Sequence, residues 1–314
     1  MSDLILHHYA MSPFSEKIRL MLGYTGLNWQ SVITREMPPR PQLAILAGGY
    51  RKIPVAQIGA DIFCDSRTIA AEIAALSGKA ELALENCPAA QQEYVSEVDL
   101  EVFFACVMAA STKAMRQKFI QSLSLPDMAR FLWDRINMGR KAAIKIAGMR
   151  DASGLVRQHL ADVEGRLKQP YLFGKKPTHA DFSTYHSLWF LRELAESPLL
   201  DGQPKTLAWM NRMQAFGHGG RREISAEQAI NIAKRSTPRR IAAQYQSDPQ
   251  IGQRVSIAPS DYGQIATSGR LVGVTSASWI ISREEPAAGT VHVHFPQNGF
   301  TLRRIDHHQA QSCS

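Results

Sequence analysis

Cysteine is scarce and dispersed. Only Cys64, Cys87, Cys106 and Cys313 occur in 314 residues, and none forms a C-x-x-C pair or a metal-ligand spacing. That excludes a disulfide scaffold and a zinc module, and reduced thiols with no metal centre are expected. No apolar run is long enough to span a membrane, and no basic segment leads into a hydrophobic core at the N-terminus. A cytoplasmic protein without a membrane partner is therefore expected. Internal repeats, low-complexity segments and RNA- or DNA-reading motifs are also missing, so the formal charge of +8 carries no nucleic-acid reading by itself. What remains has the hydrophobic and charged content of an ordinary globular chain, long enough for roughly two or three domains of about 100–150 residues.

The chain is organised around Ser12-Pro13-Phe14-Ser15-Glu16-Lys17-Ile18-Arg19. A short apolar strand (Leu4, Ile5, Leu6) precedes it, and Phe14, Ile18, Met21 and Leu22 continue it at helical spacing. Serine is a favoured N-cap and proline a favoured first helical residue, so free backbone N–H groups gather beside the Ser12 hydroxyl. Such a helix start favours negative charge and suits a thiolate. Many ordinary helices begin the same way. Taken alone, the motif is a cap.

The surrounding signals read strand, helix, then a strand from Asn28 to Ile33, with a stop at Gly26. Met37-Pro38-Pro39-Arg40-Pro41 reads as a loop, because its prolines lack donors and hold the backbone extended. Ile53 to Ile58 and Ile62 to Cys64 form a hairpin, and a helix capped by Asp65 or Ser66 runs to Gly78. From about Pro88 to Ala233 strand signals vanish. Helical spacing recurs from Tyr94 to Ala109, Met128 to Met149, Ala152 to Leu167, and after the Thr178-His179-Ala180-Asp181 capping pattern. Beyond Pro238 several short strand signals follow, with a hairpin expected at Asn298-Gly299. The expected divisions are 1–79 (α/β), 88–236 (all-helical) and 237–314 (a small, mainly-β module).

Ser12 at one helix start, Ile53-Pro54 at a strand start and Asp65-Ser66 at another helix start all fall within one β-α-β, β-β-α unit. This combination resembles the thioredoxin-like domain of the glutathione transferases, and the following stretch resembles their all-α second domain. Ser12-Pro13-Phe14 with Lys17 and Arg19 is similar to the serine-type start of tau- and zeta-like members, and Lys52-Ile53-Pro54-Val55 looks like their K-I-P-V segment. The resemblance implies a cis Ile53-Pro54 bond, with Ile53 facing the cysteinyl part of glutathione. It implies Asp65 and Ser66 on the γ-glutamyl group, Lys52 and Arg40 on the glycyl carboxylate, and Phe14 beside the ligand. Ser12 would stabilise the glutathione thiolate, which attacks an electrophilic apolar small molecule in a pocket bordered by Phe103, Phe104 and Met108, with Met115 beyond. Homodimerisation is also implied.

Departures and alternatives accompany that reading. Tyr9 stands where other members use a tyrosine on the thiol, and Asp65 replaces a commoner, longer glutamate. Relatives with a cysteine at the Ser12 position perform disulfide exchange, which serine disfavours. Cys64 reads as packing. His292 and His294 share one strand face and could chelate a metal with His307 or His308, but a polar outer face is the simpler reading. The basic run from Arg221 to Arg240 reads as a solvated face or linker. Two other functions stay open: a non-catalytic adaptor on the transferase fold, and a glutathione-dependent lyase or reductase of one metabolite.

Overall fold

A computed structural model describes residues 3–110, 117 and 151–305. The expected helix over 128–149, Met115, His307, His308 and Cys313 lie outside them. Strand β1 (Leu4–His8) is buried throughout. Helix α1 (Pro13–Thr25) begins on Ser12, whose Oγ accepts the Ser15 N–H at 3.2 Å, and ends on left-handed Gly26 (φ 69°). Strand β2 (Trp29–Ile33) pairs parallel with β1, and β3 (Val55–Ile58) and β4 (Asp61–Cys64) follow antiparallel. Helix α3 (Ser66–Ser77) then starts on Asp65. The 37–41 loop leads into a short helix that the sequence reading missed, α2 (Pro41–Ala47), which buries Leu43, Leu46 and Ala47. Its signal was present: proline at the first helical position and apolar residues at i, i+3 and i+4.

The helical part contains α4 (Ala89–Glu97), α5 (Phe103–Ala109), α6 (Ala152–Arg166), α7 (His179–Trp189), α8 (Pro204–Gln214) and α9 (Ala226–Lys234). A widened π-type turn at Val98–Val102 separates α4 from α5, and a second, Phe190–Leu194, extends α7. The capping pattern at Thr178 forms as expected, with Asp181 Oδ2 accepting the Thr178 N–H at 2.9 Å. This part is not free of strands. Residues Arg221–Glu223 form β5, which adds parallel to β2 at the edge of the sheet. Three exposed, charged residues carry no apolar alternation, so nothing in their sequence marks a strand.

The strand-rich region contains β6 (Arg254–Pro259), β7 (Thr267–Val274), β8 (Ser278–Glu285), β9 (Gly289–Pro296) and β10 (Phe300–Arg304). It does not form a sheet of its own. β9 pairs parallel with β4 through Asp61↔His292, Ile62↔Val293 and Phe63↔His294, giving one ten-stranded sheet ordered β10-β6-β7-β8-β9-β4-β3-β1-β2-β5. A free strand edge is a pairing hazard, and here both edges of the N-terminal sheet are covered. The hairpin expected at Asn298-Gly299 is not one. The chain turns there on Gly299 (φ 80°), but β10 pairs with β6, three strands beyond β9. Three residues cannot cross an open sheet of that width, so the five strands curl round. Phe295 and Phe300 meet at 5.9 Å between ring centroids, and both pack on Tyr50.

Two main cores result. The larger joins α1 and α3 to the helical part through Leu20, Met21, Ile69, Ile73, Phe182 and Trp209. The second lies between the curled strands, α2 and α9, and contains Val55, Ile62, Leu271, Ile281 and Val293. Cys64 lies in it, fully buried, as a packing residue. His294 binds Asp61 at 2.8 Å and stacks on Phe63, so this histidine secures the β4–β9 seam. No metal-binding group of side chains occurs among the described residues. Arg239 of the basic run also serves the seam, pairing with Glu72 and, through its backbone N–H, with Asp61.

Candidate active site

A cavity of about 750 Å³ opens where α1, the start of β3, the start of α3, the π-type turn and the strand-rich region meet. Phe14, Lys52, Ile53, Pro54, Asp65 and Ser66 line it. Residues as far apart in sequence as Phe14 and Ser66 are thereby gathered around one space. The Ile53-Pro54 bond is cis, as is Pro38-Pro39. Asp65 holds a left-handed backbone (φ 82°) that a side-chain-bearing residue seldom adopts. Its Oδ1 caps α3 by accepting the Arg67 N–H at 3.0 Å, which aims the helix's remaining free N–H groups at the cavity.

Ser12 is not itself among the residues lining the cavity; it is 2% exposed and lies two residues before Phe14, which does line it. Its oxygen is used as the cap acceptor, so its hydroxyl proton is still available to donate. The loop before it is held by Arg19, which donates to the carbonyls of Tyr9 and Ala10 and pairs with Glu16. Tyr9 does not line the cavity.

One carboxylate of the cavity's helical wall, Asp99, belongs to a buried ion pair. Lys17 of α1, with no exposed side-chain surface, donates to Asp99 Oδ2 at 2.9 Å. Burial pushes the Asp99 carboxyl up, but the Lys17 ammonium and the nearby His186 and His179 bring it well below the usual carboxylate range. Burial lowers the Lys17 ammonium, and Asp99 restores part of the loss. His186, buried against Phe14 and Phe103, is lowered to about 4, chiefly by burial.

Other expected site residues lie elsewhere. Arg40 does not reach the cavity; its guanidinium donates to the carbonyls of Arg35, Glu36 and Arg51 and shapes its own loop. Phe103, Phe104 and Met108 do not line the cavity, whose helical wall is Ser96, Asp99, Leu100, Glu101 and Leu155. Phe103 supports Phe14 from behind (4.9 Å), whereas Phe104 packs on Tyr262 (5.3 Å) and Met108 is exposed. Lys52 lines the cavity but already has a partner, both oxygens of Asp261, at 2.7 and 2.8 Å.

The sequence reading missed one side of the site altogether. Ser260, Asp261, Tyr262, Asn298 and Gly299, from the strand-rich region, form a wall of the cavity. Their loops are tied to the N-terminal part by Thr267 Oγ1, which accepts the Tyr50 N–H and donates to the Ala47 carbonyl. Arg67 completes the tie by donating to the Asn298 carbonyl. Only Asp99 had a usable signal, an acid among apolar positions of a helix face.

Comparison with known proteins agrees with this architecture. Residues 6–81 match the model of the glutathione S-transferase N-terminal domain, and 145–215 that of the C-terminal domain. No curated protein matches the sequence. A GST-like protein from Pseudomonas syringae is similar in structure at TM-score 0.76 and 34% identity, over 96% of this chain and 100% of that one. A glutathione S-transferase from Rhodospirillum rubrum F11 aligns at TM-score 0.50 and 16% identity, covering 68% of this chain and 88% of its own. The first match takes in most of the strand-rich region as well as the two transferase domains. On that similarity, and with the thioredoxin-like and helical parts in place, the chain belongs to the glutathione S-transferase family.

Proposed function

We propose that this protein is a serine-type glutathione transferase, with residues 1–79 binding glutathione, 88–236 forming the helical domain and 237–314 completing the site. One observation carries the reading: Phe14, the cis Ile53-Pro54 segment and the Asp65-Ser66 helix start line a single cavity. Ser66 and the α3 N-terminus suit the γ-glutamyl carboxylate, and the second oxygen of Asp65 its ammonium. The Ile53 backbone offers strand-like hydrogen bonds to the cysteinyl unit.

The chemistry is that of a thiol made anionic. A free thiol titrates near pH 8.5, so little is thiolate at neutral pH. A Ser12 O–H donated to the sulfur, beside the N-terminus of α1, favours the anion. One such charge-assisted bond is worth about 1.5–3 kcal/mol, enough for a shift of about one to two pKa units. The sulfur then attacks an electrophilic apolar small molecule, and Ser12 forms no covalent bond itself. The cytoplasmic address and homodimer belong to the same reading.

Calorimetry with glutathione and turnover of a chloronitroaromatic test it. Ser12→Ala should raise the thiol pKa seen in the pH–rate profile and lower turnover about tenfold, with affinity nearly retained, whereas Ser12→Thr should restore both cap and hydroxyl. Unchanged turnover in Ser12→Ala rejects the role of the serine. Absence of binding of both glutathione and its glycyl ester at millimolar concentration rejects the transferase reading in favour of an adaptor.

A further inference from the structure

The cavity is poorly matched in charge to glutathione. Among the described residues its lining holds four carboxylates, Asp65, Asp99, Glu101 and Asp261, against two cations, Lys52 and Arg67. Glutathione itself carries more carboxylate than ammonium. Lys17 behind Asp99 offsets only one of the acids.

The mismatch is concentrated at Lys52. This ammonium has three protons to donate, and it meets both Asp261 oxygens at 2.7 and 2.8 Å. The Tyr262 ring covers another side at 4.0 Å from its centroid. Tyr262 is in turn packed edge-on against Phe104, so the pair Asp261-Tyr262 is fixed between the N-terminal and helical parts. Lys52 and Asp261 are only 13% and 24% exposed in their side chains, which limits how far water screens the pair. A free glycyl carboxylate arriving here meets an ammonium already neutralised, with a like charge beside it. A ligand with a neutral or cationic group at that end meets no such repulsion, and a cationic one gains Asp261 as a partner.

Resting on the glutathione-site reading above, we propose that Asp261 is a specificity determinant, selecting γ-glutamyl-cysteinyl thiols whose C-terminal end is capped as an ester or amide, or carries an amine, over glutathione with its free carboxylate. The discriminating residue comes from the strand-rich region, which gives that region a function in the site. Rejection of the wrong co-substrate is built from a repulsive element as well as an attractive one.

Competitive calorimetry with glutathione and its glycyl monoethyl ester, on the full-length wild type and on Asp261→Asn, tests this. In the wild type the ester should bind at least as tightly as glutathione. Asp261→Asn frees Lys52 for the carboxylate, so glutathione should tighten about tenfold, the worth of one charge-assisted hydrogen bond, while the ester changes less than about twofold. The wild-type ratio reads the proposal even if the variant folds poorly. A wild type that prefers glutathione about tenfold, or a ratio that Asp261→Asn leaves unmoved, overturns the role of Asp261 and leaves the transferase reading intact. If neither thiol binds the wild type, the transferase reading fails and this proposal falls with it.

Discussion

Removing Asp99 should expose how the two transferase domains are held together. Lys17 comes from α1 and Asp99 from the turn between α4 and α5, and their 2.9 Å contact is sealed from solvent at the lysine end. Asp99→Leu would leave a buried ammonium without a counter-charge, at a cost of about 3–5 kcal/mol. Adding Lys17→Met removes the orphaned charge as well, and the double variant should return to within about 1–2 kcal/mol of wild type. The deficit of Asp99→Leu should also narrow as pH rises. Burial already lowers Lys17, and without Asp99 its folded-state pKa falls further, so the folded protein sheds a proton that the unfolded chain keeps. Above that lowered value the unfolded state binds more protons and stability grows with pH. Urea titrations at pH 7 and 9, followed by circular dichroism and tryptophan fluorescence, read both effects, and coincident transitions check two-state behaviour. A loss below about 1 kcal/mol in Asp99→Leu, the value of a solvated pair, would refute the reasoning.

Two further outcomes follow from other parts of the molecule. Burial lowers His7, His159 and His186 to about 4 and His8 and His179 to about 3. The unfolded chain protonates near pH 6.5, so stability should be full above that pH and fall from 6.5 down to about 3. The slope is at most about 1.4 kcal/mol per pH unit for each histidine, and a flat denaturation midpoint from pH 7 to 5 would contradict it. Gly49→Ala would place a Cβ 2.3 Å from the Ala266 carbonyl oxygen, a backbone atom that cannot swing aside. A loss of about 1–3 kcal/mol, with weaker thiol binding as the 260–266 loop shifts, is expected by urea titration and calorimetry.

What the sequence revealed was local. Ser12 caps α1 and Asp65 caps α3 because capping depends on a few neighbouring residues, and Ile53-Pro54 stands out through the chemistry of proline alone. Most of the misses were pairings between distant segments. Asp261 reaches Lys52 across 209 positions, and no spacing rule links them. His294 was read as part of a polar face, yet its partner is Asp61 on a strand 233 positions earlier. At Asn298-Gly299 the turn chemistry was right and the inferred pairing wrong, because a turn fixes chain reversal while the sheet decides which strands meet. The family resemblance places Arg40 on a ligand carboxylate, whereas its guanidinium serves three carbonyls of its own loop that need donors.

The direction of the β4–β9 pairing explains why a strand-rich region far along the chain can complete the site. Residues at the ends of β4 and β9 reach the cavity because the two strands run parallel. β4 ends in Asp65-Ser66, and β9 ends in the turn that carries Asn298 and Gly299. Had β9 paired antiparallel, its start at Gly289 would have lain there, and the 297–299 turn would have lain at the far end of the sheet. Arg67 measures how closely the two ends coincide: one residue beyond Ser66, it donates to the Asn298 carbonyl at 3.1 Å. The turn after β9 then sends the chain into β10 against β6, whose own end carries Ser260, Asp261 and Tyr262 to the same rim. One parallel seam therefore fixes the position of both loops, and through them the charge that Lys52 presents to a ligand.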